Sequence, residues 1–95
     1  MLKHVVMFRF KEDKEATAEE LKRRLLALPP QIDVIKGFEV GINLVASARA
    51  YDLVLISDFE SLKDMQAYQV HPAHQEVGKY TSQVSESIVA VDYEY

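Results

Sequence analysis

Apolar positions along this chain recur in two rhythms, and the rhythms mark its elements. In "KHVVMFRFK", residues 3–11, β-branched and aromatic side chains dominate, and the stretch reads as a strand. One face carries His4, Val6, Phe8 and Phe10; the other carries Val5, Met7 and Arg9. The next stretch, "EDKEATAEELKRRLLALPP", changes to a helical rhythm. Ala18, Leu21, Leu25 and Leu28 form its apolar stripe, while Lys22, Arg23 and Arg24 face water. Thr17 followed by Glu20 has the spacing of a capping box, and Pro29 with Pro30 ends the helix. In "KGFEVGINLVA" Phe38, Val40, Ile42 and Leu44 alternate with Glu39, Gly41 and Asn43, which predicts a second strand. "SARA" reads as a turn. "YDLVLISDF" predicts a third strand, with Tyr51, Leu53, Leu55 and Phe59 on one face and Val54 and Ile56 on the other.

Ser61 then caps a short helix, "SLKDMQAYQV", with Asp64 in the capping-box place. His71-Pro72 breaks it, and a further helix runs from Pro72 to about Ser85. "SIVAVDYEY" is the last strand. The order β-α-β-β-α-β, with the second helical region broken in two, is that of an α+β, ferredoxin-like subunit. It predicts a four-stranded antiparallel sheet with its helices on one face. Yet the first, third and last strands are apolar on both faces, whereas a half-solvated sheet alternates more cleanly. The uncovered face therefore needs a cover, and a second copy of the chain is the simplest one: a homodimer packed through the open sheet face.

Composition narrows the function. Ninety-five residues make one domain, residues 1–95, with 48% hydrophobic and 27% charged residues. The net charge is −4 and the basic residues are scattered, so no nucleic-acid partner is expected. The absence of cysteine removes disulfides, thiol catalysis and thiolate metal sites. The opening apolar run is too short for a secretory segment, and no run nears the roughly 20 residues of a membrane span. The expectation is a cytoplasmic protein without a membrane partner.

Candidate chemistry gathers in "MQAYQVHPAHQEVGKY", which holds two of the three histidines. Pro72 suits a first helical position, where its missing N–H costs nothing, and that puts His71 at the cap. His74, Val77, Thr81 and Val84 then share the stripe that faces the sheet. An imidazole there needs a partner or a wet cavity. It can be a structural histidine held by a carbonyl. It can share a metal ion with His71, if Asp64 or Glu76 adds a third ligand; two ligands alone argue for no metal site. Or it can be an acid–base group, with Tyr68 as a hydroxyl donor and His4 joining from the first strand. No nucleophile motif and no glycine-rich phosphate loop is present.

The opening "KHVVMFRFK", the central "YDLVLISDFESLKDMQAYQVHPAHQEV" and the closing "VAVDYEY" resemble the stress-responsive α/β-barrel family, the Dabb domains, over essentially the whole chain. The "Y-x-x-H-P-x-H" element is the specific part. The resemblance implies a subunit that pairs into a dimeric α+β barrel. The family includes proteins with no assigned chemistry and a plant polyketide cyclase that works by aldol condensation with no cofactor or metal. In that cyclase the second histidine of H-P-A-H is the base and the preceding tyrosine assists, which places those roles on His74 and Tyr68. The first-strand histidine corresponds to His4. A pocket tyrosine of the cyclase's first helix falls at about Leu25 or Leu26, where this chain departs.

Two expectations follow. One is a homodimeric small-molecule-binding or stress-related module with a pocket between sheet and helices. The other is a cofactor-independent lyase, cyclase or isomerase acting on an enolisable carbonyl compound. In either case the pocket would be lined by Phe8, Phe10, Leu25, Val77 and His71.

Overall fold

The alternation of β1, Leu2–Phe10, decides the architecture. A computed structural model describes residues 1–95. Leu2, His4, Val6, Phe8 and Phe10 are all buried on one side of the strand. Leucines on one stripe of α1, Lys14–Leu26, cover that side together with α2, Leu62–Val70, and α3, Pro72–Val84. The remaining strands are β2, Gly37–Ile42; β3, Leu53–Phe59; and β4, Ser85–Glu94. A single turn of 3-10 helix, Pro29–Gln31, follows α1.

The sheet order is β2-β3-β1-β4 and every pairing is antiparallel. This is the ferredoxin-like arrangement, with all helices on one face. The core joins Leu21, Leu25 and Leu28 to Phe10, Leu53, Leu55 and Phe59, with Met65 and Tyr68 from α2. No helix is long and apolar enough to cross a membrane.

The helix-facing side of the sheet is well covered over β1 and β3 and poorly covered over β4. Ile88 and Ala90 lie there on the edge strand and remain exposed. The other side of the sheet carries a continuous apolar band. Val5 sits between Ile56 and Val91 in the cross-strand register, and Met7 between Val54 and Val89. Met7, Val89 and Val91 are exposed in the single chain.

Three details of the sequence reading change. The helix α1 begins before Thr17, so Thr17 and Glu20 form no capping box. Asp13 takes the cap position in the left-handed region, φ 48°, which aspartate tolerates better than most residues. Thr17 is then inside the helix, its N–H bonded to the Asp13 carbonyl at 2.8 Å. Glu20 accepts hydrogen bonds from Arg23 and Arg24 instead, which lowers the pKa of its carboxyl to about 2.

The second strand stops at Ile42 instead of running on through Leu44. The Asn43 amide donates to the Val45 carbonyl at 2.9 Å and turns the chain, leaving Leu44 95% exposed. The third strand begins at Leu53, and Asp52 just before it still bonds to both neighbours through its backbone, its N–H donating to the Phe8 carbonyl at 2.8 Å and its carbonyl accepting from the Asn43 N–H at 2.9 Å. Its carboxylate accepts from the Phe10 N–H at 2.8 Å and from Lys14 Nζ at 2.9 Å. The cap of α2 is as the sequence predicts: Ser61 Oγ accepts from the Asp64 N–H at 3.1 Å.

That bond satisfies one of the four free N–H groups at the helix start. Ser61→Ala is expected to destabilise the protein by about 1 kcal/mol with an unchanged m-value, as measured by urea unfolding.

Candidate functional site

The break between α2 and α3 builds the site. Val70 is the last residue of α2 and Pro72 the first of α3, with His71 extended between them at φ −63°, ψ 136°. Pro72 cannot donate to a continuing helix. The His71 imidazole serves as the cap of the new one: its Nδ1 accepts from the Ala73 N–H at 3.0 Å. His71 thereby does for α3 what serine does for α2. It does not line the cavity described below.

Past the break, α3 turns the ring of His74 against Tyr68, with ring centroids 4.4 Å apart. Both lie on a cavity of about 250 Å³ between the sheet and the helices. Its floor is the sheet: His4, Val6 and Phe8 from β1, Leu55 from β3, and Ile88 and Ala90 from β4. Its roof is Leu25 of α1, Tyr68 and Gln69 of α2, and Val77, Gly78 and Thr81 of α3. No lysine, arginine, aspartate or glutamate lines it. Of the residues expected there, His4, Phe8, Leu25, Tyr68, His74 and Val77 are brought together. Phe10 is not, because it is fully buried in the core near the β-bulge at the end of β1.

Each polar group has a defined state. His74 Nδ1 lies 3.1 Å from the Gln69 carbonyl oxygen, which can only accept. Nδ1 therefore carries the proton, and Nε2 holds the lone pair with no protein partner. Partial burial favours the neutral ring and holds His74 below the ordinary histidine range, outweighing the opposing bond to Gln69. Tyr68 is wholly buried and its hydroxyl has no hydrogen-bond partner. Loss of water raises its pKa well above the usual tyrosine value, so the phenol keeps its proton.

His4 is held by a residue that sequence reasoning missed. Its Nδ1 is hydrogen-bonded to Asp92 Oδ1, which sits directly across from it in the β1–β4 register. Again one ring nitrogen is fixed and Nε2 has no protein partner. The signal for Asp92 was a carboxylate on a strand 88 residues away. Only the register makes it a neighbour. Gln69 contributes through its backbone, which no side-chain pattern reveals. No group of three or more histidine, aspartate or glutamate side chains is placed to hold a metal ion. Asp64 and Glu76 do not join His71 and His74.

A larger groove, about 610 Å³, follows the β2–β3 loop past Asn43, Ser47, Arg49 and Tyr51 to Met7 and Val54 on the other face of the sheet. It holds no histidine and no buried polar atom without a partner. The smaller cavity holds two histidines and the unpartnered Tyr68 hydroxyl.

With that geometry in place, the comparison with known families is decisive: the model of the stress responsive A/B barrel domain, Dabb, matches residues 2–95. This chain is a member of the Dabb family. A stress-response A/B barrel domain-containing protein of Arabidopsis thaliana is 30% identical over 95 residues, covering 98% of this chain and 36% of that protein. The chain thus spans about a third of the length of that relative. A second Arabidopsis thaliana protein of the same description is 30% identical over 94 residues, covering 96% of this chain and 83% of its own length. Among solved structures, a dimeric protein of unknown function and ferredoxin-like fold from Bacteroides fragilis superposes with a TM-score of 0.88. It is 34% identical, over 99% of this chain and 95% of that one.

The cap role of His71 has a direct check. His71→Ala is expected to lower stability by about 1 kcal/mol, whereas His71→Asn, with an accepting side chain, stays within a few tenths of wild type. Thermal unfolding of both variants separates a cap from a ligand-binding histidine.

Proposed function

We propose that this Dabb chain is a homodimeric small-molecule-binding protein whose cavity abstracts a proton next to a carbonyl group. The observation that carries the reading is the Tyr68 hydroxyl: buried, protonated and without a partner, beside a neutral His74 whose free nitrogen is Nε2. A buried donor left unpaired costs about 1–3 kcal/mol, and a ligand oxygen would recover that cost.

The chemistry balances with these two groups alone. His74 Nε2 takes a proton from the carbon next to the carbonyl. The C–H electron pair moves to form a carbon–carbon double bond, and the carbonyl π pair moves to oxygen. Tyr68 donates a hydrogen bond to the enolate oxygen so formed, and His4 Nε2 is a second polar group on the same cavity. The enolate then reacts at carbon, as in a lyase, cyclase or isomerase, or recovers its proton. A positioned base contributes about 10²–10⁴-fold, and one donor on a developing oxyanion about 10²–10³-fold. The Gln69 carbonyl keeps Nδ1 protonated and so leaves the lone pair on the nitrogen that has no partner.

Enolisation is measurable before the natural ligand is known. The protein is expected to speed exchange of the methyl protons of acetophenone into D2O, followed by NMR. His74→Ala should reduce the exchange by about 10²-fold or more and Tyr68→Phe by about 10²-fold, with both variants folded. The rate should hold its plateau to below pH 6.5 and fall only as His74 protonates, because a lowered pKa keeps the base form present at lower pH. Exchange no faster than in buffer, or unchanged in both variants, would sink the reading.

The dimer is proposed through the face opposite the cavity, where Val5, Met7, Val54, Ile56, Val89 and Val91 form one apolar band. A patch of this kind on a sheet without helices is what a second copy would cover, and the related Bacteroides fragilis structure is described as dimeric. Sedimentation equilibrium should give twice the chain mass for the wild type. Val91→Asp should shift it to the single-chain mass, leaving the acetophenone cavity in place.

A further inference from the structure

Gly78 sits where the chain would gain by having another residue. It lies in the interior of α3, Pro72–Val84, where glycine is among the worst helix formers. Neither of the other two glycines poses this question. A Cβ at Gly37 would stand 2.5 Å from Asp58 Oδ2, and one at Gly41 3.2 Å from Val54 Cγ1, so the packing of the sheet accounts for both. At Gly78 a Cβ would meet no heavy atom within 4 Å, the backbone of its own helix aside. Its φ is not positive, so the backbone does not need glycine either. Nothing in the folded chain explains it.

The open space over Gly78 adjoins the cavity between sheet and helices. Four residues after His74, Gly78 falls on the same helix face, at the rim of the stripe that carries the buried Val77 and Thr81. It lines the cavity that holds His74 and the unpartnered Tyr68 hydroxyl, across from Ile88 and Ala90 of β4. That is the thinly covered side of the sheet, where Ile88 and Ala90 stay exposed. The other three residues of α3 that line the cavity, His74, Val77 and Thr81, each put a side chain into it. Gly78 alone puts in none.

We propose that Gly78 is the size-determining residue of the cavity: its missing side chain is the room that a flat, uncharged ring of the ligand occupies against α3. The inference rests on the cavity being a ligand site. The lining supplies no charged side chain to meet a carboxylate or a phosphate, and a planar ring is what fits between a bare stretch of helix and the apolar pair on β4. Gly78 therefore selects among ring carbonyl compounds by width, while His74 and Tyr68 act on the carbonyl end.

The experiment measures binding, not turnover, with two probes: acetophenone and the wider 2-acetylnaphthalene, titrated by NMR against wild type, Gly78→Ala and Gly78→Leu. Gly78→Ala should raise Tm, by roughly 4–8 °C from the helix preference alone. It should keep acetophenone affinity within about 3-fold and weaken 2-acetylnaphthalene by about 10-fold or more. Gly78→Leu should weaken both probes by about 10-fold or more with Tm no lower than wild type. These factors correspond to roughly 1.4 kcal/mol per tenfold step.

A drop in Tm for Gly78→Ala would mean that the fold itself needs the glycine, and would overturn the proposal. Equal binding of both probes by wild type and Gly78→Leu would overturn it while leaving the ligand site standing. Binding without enolisation would sink the proton-abstraction reading and leave Gly78 tested on its own terms. Failure of wild type to bind either probe would overturn both.

Discussion

A proline in the second helical region is the constraint on which the site depends. On an unbroken helix, Tyr68 and His74 would stand about 9 Å apart along the axis and about 120° apart around it. They could not share a cavity. Pro72 forbids the continuation, His71 turns the chain, and α3 restarts at a new angle with its own cap. The two rings then meet at 4.4 Å. The same break frees the carbonyl of Gln69 near the end of α2, and that carbonyl accepts from His74 Nδ1. One local interruption thus supplies both the meeting of the two side chains and the tautomer of His74.

The electrostatics follow from how the cavity is walled. Val6, Phe8, Leu25, Leu55 and Val77 exclude water from one side, and the edge strand β4 leaves the other side open. Partial burial favours the neutral form of His74, and deep burial favours the protonated form of Tyr68. The two shifts act in opposite directions on paper and in the same sense chemically. A neutral imidazole sits beside a phenol that keeps its proton and has no hydrogen-bond partner. Asp92 does a related job for His4 by fixing one nitrogen and leaving the other. The two faces of the sheet divide the work: histidines and helices on one, an unbroken apolar band on the other.

Much of this was legible in the order of residues, and the reason is that it is local. Runs of β-branched and other apolar residues marked β1 and β3, and period-two alternation marked β2. The leucine stripe marked α1, and Ser61 and Pro72 marked the starts of α2 and α3. His74 could be placed on the inward stripe because it shares helical spacing with Val77, Thr81 and Val84. Local signals also misled where a neighbour in space intervened. Thr17 and Glu20 have the spacing of a cap, but Asp13 starts the helix earlier, so Glu20 pairs with arginines on its own helix. Leu44 continues the alternation of β2, yet a turn closed by Asn43 takes it out into water.

What the sequence by itself determined is the set of elements, their order, the fold they imply and the inward phase of His74, because each depends on residues within a turn or a strand of one another. Tertiary structure alone decided which of those residues meet. The pairing of His4 with Asp92 depends on the register of two strands at opposite ends of the chain. The hold on His74 comes from a backbone carbonyl, which has no letter in the sequence. The emptiness over Gly78 is a property of the surroundings, and a glycine in a helix looks the same on the page whether the space beside it is filled or free.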